Sequence, residues 1–157
     1  MPLHPLIVHF PIALLVFGAV IEIVNVVFKK ETLNQFGTLL ITFGVILGIF
    51  ALLSGEGAEE FAFQNWGQGL HNQVDLHSFF ANVSIILFGI LAIIKLLFKH
   101  SILSWSGSGY KQINKGIISI VIVFLSISGI VSLAITGDLG GKLVYENDNI
   151  LMDKTTK

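Results

Sequence analysis

The chain has 157 residues, 54% hydrophobic and only 12% charged, with a net charge of −1 and a mean hydropathy of +0.84. A soluble domain carries roughly 25% charged residues, so this composition belongs in lipid. There is no arginine to read phosphates or bases, and the near-neutral charge gives nucleic acid nothing to bind. With no cysteine, disulfides, thiolate metal sites, iron–sulfur clusters and covalently attached haem are all excluded.

In chain order, four segments reach the ~20 apolar residues that cross a bilayer core. They are predicted over 5–28, 36–55, 79–98 and 117–136. Each must be a helix, because an isolated strand cannot satisfy its backbone in lipid. The expected fold class is therefore all-α, a four-helix transmembrane bundle, with residues 1–145 as one membrane domain and 146–157 as a polar C-terminal tail. The first apolar run starts almost at Met1 without a basic leader or cleavage site, so it is expected to stay in the mature protein.

Within the first span, Pro11 removes a donor to the Ile7 carbonyl and predicts a kink or a late helix start. The second span contains Gly44-Val-Ile-Leu-Gly48, a small-residue pair that permits close helix approach, within the chain or against a second copy. The 56–78 connection is read as a long outer loop carrying Glu56, Glu59, Glu60, Trp66, His71 and His77. Trp105 and Tyr110 flank a flexible turn before the fourth span, and Gly137, Gly140 and Gly141 are expected to end that span. No internal repeat is legible.

Lysines set the orientation. Lys29, Lys30, Lys95, Lys99, Lys111 and Lys115 cluster at one end of the spans, against Lys142, Lys154 and Lys157 at the other. The rule that cytoplasmic loops are lysine-rich then puts both termini outside, N-out and C-out. His4, His9, Glu56, Glu59, Glu60, His71, His77, Asp138 and Tyr145 gather on that outer side, leaving His100 at the cytoplasmic end.

This one-sided gathering suggests a site. His9 lies inside the first span, where an ionisable residue is a functional candidate by default. Three readings compete. His9 and His77, with His4 nearby, can ligate a b-type haem for electron transfer, as helix bundles build cofactor sites from facing helices. Glu56, Glu60, His71 and His77 are the types of ligand that hold iron, zinc or manganese. Or His9 is a neutral imidazole bonded to backbone or to Asn82, in a structural or accessory membrane subunit without cofactor. His4 and His9 stand about 140° apart on a helix, so ligands must come from different segments. Deeper, Glu22 and Lys95 each lie 18 residues past an outer histidine, His4 and His77, and form a candidate ion pair. No nucleophile–base pair or phosphate-binding motif appears, which argues against an enzyme. Candidate partners are the bilayer, other membrane or respiratory proteins, and a second copy.

The opening His4-Pro5-x-x-Val8-His9-Phe10-Pro11-Ile12-Ala13 resembles the signature of a family of predicted bacterial membrane proteins, domain of unknown function 2231. Ser54-Gly55 followed by acids, the histidine opening the third span and Gly140-Gly141-x-Leu143-Val144-Tyr145 are also similar to it. The chain departs after the tyrosine, where many members continue His-Gly-Val-Gly-like and here Glu146-Asn-Asp-Asn-Ile150 follows. The resemblance implies four helices in the bacterial cytoplasmic membrane and no particular activity.

Overall fold

A computed structural model describes residues 4–66, 70–99 and 115–155. All of its regular structure is helical: α1 (His4–Phe28), α2 (Glu31–Trp66), α3 (His71–Lys99) and α4 (Lys115–Thr155). Each contains a stretch long and apolar enough to cross a membrane. About 28–33% of each such stretch is buried inside the protein. The outward face is dominated by large apolar side chains such as Phe17, Phe43, Phe50, Ile86 and Phe124, which lipid accepts and water would not.

The helices, α2, α3 and α4 above all, are longer than the spans marked by composition. The expected long loop is mostly helix, because α2 runs on to Trp66 and α3 begins at His71. Residues 58–64 are mainly Ala, Glu, Phe and Gln, which favour or tolerate helix. Glu60 accepts a hydrogen bond from Gln64 one turn on, at 3.1 Å. Ala62 and Val74 bury the inner face of this extension. Likewise α4 does not end at Gly137, Gly140 or Gly141 and its backbone continues through the expected polar tail to Thr155. Glycine costs a helix ~1 kcal/mol, and at Gly140 close packing against α3 offsets it. Pro11 sits inside α1 and is buried, so the helix starts before it, at His4, rather than late. His100, Trp105 and Tyr110 lie outside the described residues.

The chain is two tight helical pairs. α1 packs chiefly on α2 and α3 on α4, with lighter α2–α3 and α1–α4 contacts, so α1 and α3 face each other diagonally across the bundle. The α1–α2 turn is Lys29–Lys30 alone, with Lys29 in the left-handed region (φ 51°) and the Asn25 side chain accepting from the Lys30 amide at 2.9 Å. Both glycines of the predicted small-residue pair face helices of the same chain. A Cβ on Gly44 would lie 2.7 Å from Leu15 Cδ2 and 3.2 Å from the Leu15 backbone nitrogen, and one on Gly48 would strike Ile85 on α3. Gly18 on α1 returns the contact, meeting Ile41 on α2. Leu15, Ala19, Ile41, Phe88, Leu91 and Leu125 fill the middle of the bundle.

Gly44→Ala is therefore expected to destabilise the protein by about 1–3 kcal/mol, since neither α1 backbone nor a buried leucine can yield freely. Gly57, which has nothing within 4 Å of its would-be Cβ, is the matched control. Gly57→Ala should be neutral or stabilise by up to ~1 kcal/mol through helix propensity. Unfolding midpoints in one detergent, parent against each variant, check the pair.

Candidate functional site

The diagonal helices α1 and α3 each carry a polar residue at either end of the bundle core, and each meets its counterpart. At one end Glu22 Oε2 and Lys95 Nζ are 2.6 Å apart, with side chains only 1% and 6% exposed. Asn34 on α2 accepts a second hydrogen bond from Lys95. The other carboxylate oxygen, Glu22 Oε1, has no hydrogen-bond partner among the described residues and lies against Gly37, where a Cβ would leave it no room. This cluster is buried on all sides that are described, and suits locking rather than binding.

At the opposite end, about 27 Å away at 1.5 Å per residue, His4 and His77 face each other. Their ring centroids are 6.5 Å apart and the rings are nearly perpendicular, at 83°. Each ring is fixed through Nδ1. His77 Nδ1 donates to the Thr136 carbonyl on α4 at 3.0 Å. A carbonyl only accepts, so Nδ1 carries the proton and Nε2 keeps its lone pair. His4 Nδ1 is 2.8 Å from Ser54 Oγ. The Ser54 hydroxyl already donates to the Ala51 carbonyl at 2.7 Å, so toward His4 it accepts. His4 thus adopts the same tautomer, with Nε2 unprotonated. Gly140 makes the approach of His77 possible: a Cβ there would lie 2.9 Å from His77 Cε1 and 3.3 Å from Nδ1. Gly55 stands under His4 at the corresponding place, but a Cβ there would meet His4 Cε1 at 3.7 Å, an ordinary contact.

Both rings line a cavity of about 400 Å³. That is within the ~300–1,000 Å³ typical of ligand and cofactor sites. Its other walls are mainly apolar or small: Val8, Pro11, Ile12 and Leu15 from α1, Gly48, Ala51 and Ala58 from α2, Ala81 and Ile85 from α3, Gly137 and Val144 from α4. Glu59 reaches its rim.

The sequence candidates divide accordingly. His4 and His77 are brought together. His9 borders the cavity, but it is exposed and its Nδ1 bonds the Pro5 carbonyl one turn back, at 2.5 Å. Asn82 bonds the Ser78 carbonyl. His71 packs on Phe63 across the α2–α3 turn, with ring centroids 4.3 Å apart. Glu56 and Glu60 line an open acidic groove on α2. Among the described residues no three His, Asp or Glu side chains converge on a point, so Glu56, Glu60, His71 and His77 do not form a shared cluster. Sequence reasoning missed Ser54 and Thr136 as anchors; the Thr136 contribution is a backbone carbonyl, which no side-chain pattern announces.

Over residues 1–150 the chain matches DUF2231, a family of predicted membrane proteins. It belongs to this family. No curated protein and no solved structure matches it. As a DUF2231 member it is a membrane protein whose most built feature, on its own geometry, is the His4–His77 cavity.

The ion pair at the other end should behave as a unit. Lys95→Met strands a buried carboxylate and is expected to cost about 3–5 kcal/mol, whereas the double variant Glu22→Leu/Lys95→Met should cost less than Lys95→Met alone. Unfolding midpoints of parent, single and double variants in detergent decide this; a double variant worse than the single would mean the two side chains are not paired.

Proposed function

We propose that this protein is an electron-transferring membrane protein that holds a b-type haem between His4 and His77. The observation that carries the reading is the facing pair of imidazoles, both fixed by Nδ1 so that Nε2 is unprotonated, on an apolar cavity. Unprotonated imidazole nitrogen is the axial ligand of haem iron, and a hydrogen bond from the far ring nitrogen to a carbonyl is the usual way such a ligand is oriented. The described residues offer no third ligand of the kind a bare metal ion would need. A group that supplies its own equatorial ligands fits the pair better than iron, zinc or manganese alone. Haem supplies a one-electron couple; the chain's own residues orient the two rings, exclude water through the apolar walls and set the depth of the site. A reduced membrane or respiratory partner would give the electron and an oxidised one would take it. His9 takes a place at the rim rather than as ligand in this reading.

The orientation proposed with it is N-out and C-out, from the lysines at the Lys29–Lys30 end, so that the histidines face the outer side. The chain has no native cysteine, so single cysteines report this directly. Gly57→Cys should label with an impermeant reagent on intact cells and Lys30→Cys should not; the reverse pattern inverts the orientation.

Full-length protein purified from its own membrane is expected to show a Soret band. His4→Ala and His77→Ala should each strongly shift or remove it. His71→Ala should leave it unchanged. A parent with no Soret band, or one whose band survives both substitutions, would end the haem reading.

A further inference from the structure

The two halves of the chain repeat one design that their sequences hide. Every buried position of α1, moved on by 73 residues, lands on a buried position of α3: Leu15 on Phe88, Ala19 on Ala92, Glu22 on Lys95. The same shift carries His4 to His77. The buried positions of α2 from Ile41 to Ala51, moved on by 85, land on the buried Ser126, Gly129, Leu133 and Thr136, while the buried Gly37 and Thr38 nearer the turn land on the half-buried Ile122 and Val123.

The contacts repeat with the positions. Gly44 receives Leu15, and its counterpart Gly129 receives Phe88, each would-be Cβ lying 2.7 Å from the ring or branch it meets. Gly55 lies beneath His4, and its counterpart Gly140 beneath His77. His4 reaches the Ala51 carbonyl through the Ser54 hydroxyl; His77 reaches the carbonyl of the corresponding Thr136 directly. α1 and α3 run the same way and lie diagonally, so the relation between the halves is a two-fold rotation about the long axis of the bundle.

We infer that the chain is two copies of one helical hairpin related by a pseudo-two-fold axis, and that its ligand sits on this axis with His4 and His77 as equivalent trans ligands, filling both axial positions. The inference rests on the haem reading and goes beyond it: the site is closed to a third ligand and passes electrons without binding a small molecule at iron. Distance separates this from the alternatives. Nitrogen–metal bonds of ~2.0–2.1 Å on both sides, plus the ring radius, put collinear imidazole centroids roughly 6.4 Å apart, while a tetrahedral metal draws them to roughly 5.2 Å. The separation of 6.5 Å has room for the trans arrangement, with both Nε2 atoms on the line between the rings, and is wider than the tetrahedral one.

The test uses full-length protein with its haem. The parent should give only a low-spin ferric signal by electron paramagnetic resonance, and its reduced Soret band should not move under carbon monoxide. His4→Gly and His77→Gly should each open one axial position, so that nearly all of the reduced haem binds carbon monoxide. Added imidazole should restore the parent spectrum in both, which also shows that the variants remain folded. If only one substitution changes the spectrum, or the parent is high-spin or binds carbon monoxide, the symmetric closed site is overturned while haem binding stands. If the parent has no Soret band, the haem reading itself fails, and this inference with it.

Discussion

A side chain can donate to the carbonyl of a neighbouring membrane helix only where that helix is bare enough to be approached. Each helical carbonyl already accepts from the amide four residues on, and Cβ atoms normally cover the flank from which a second donor would come. The His77–Thr136 bond exists because the residue one turn beyond Thr136 is Gly140, whose would-be Cβ falls 2.9 Å from the His77 ring. The same need for bare backbone recurs where Leu15 enters at Gly44 and Ile41 at Gly18. In lipid no hydrophobic force drives helices together, so close packing of this kind must hold them. The glycines therefore make both the bundle and the fixed imidazoles.

Much of the fold was legible in the sequence because lipid leaves few choices. Four apolar runs, broken by no charge other than Glu22 and Lys95, must be four helices, and Gly44 and Gly48 announce a close contact. Helix ends were less legible. Once α2 leaves the apolar region near Gly55, hydropathy no longer reports helix, although Ala58, Glu59, Glu60 and Ala62 support it and the Glu60–Gln64 bond confirms its spacing. Gly137 and Gly140 read as stop signals, since a glycine serving packing and one ending a helix look alike in one dimension.

The candidate site was half legible. His4, His9 and His77 stand out as imidazoles at one end, but choosing between His4 and His9 requires knowing which way α1 is turned. Pro11 marks the answer in hindsight: it is buried, and His4 lies seven residues before it, two turns back along the inner face, while His9 lies two residues before it and points elsewhere. The inner row His4, Val8, Pro11, Leu15, Gly18, Glu22 alternates steps of four and three, and so does His77, Ala81, Ser84, Phe88, Leu91, Lys95. That is the 3.5-residue period of helices wound around one another. The likeness of the halves is hard to read in the sequence because the few identical pairs, such as His4/His77 and Ala19/Ala92, are scattered among pairs such as Pro11/Ser84, Leu15/Phe88 and Glu22/Lys95 that share only their burial.

Why they diverged follows from electrostatics. Residues facing each other across a two-fold axis meet their own counterparts, and what they tolerate depends on charge. Two neutral imidazoles can stay identical, because both can turn a lone pair toward one ligand between them. Two carboxylates or two ammonium groups cannot, since like charges in a dry core repel and nothing there screens them. At the far end the paired positions hold one of each sign, Glu22 and Lys95, joined at 2.6 Å. Under the proposed shared ligand, the matched pair is kept at His4 and His77, and charge breaks it at Glu22 and Lys95. An asymmetric ion pair at one end and a matched histidine pair at the other are what a duplicated hairpin with one axial site would come to contain.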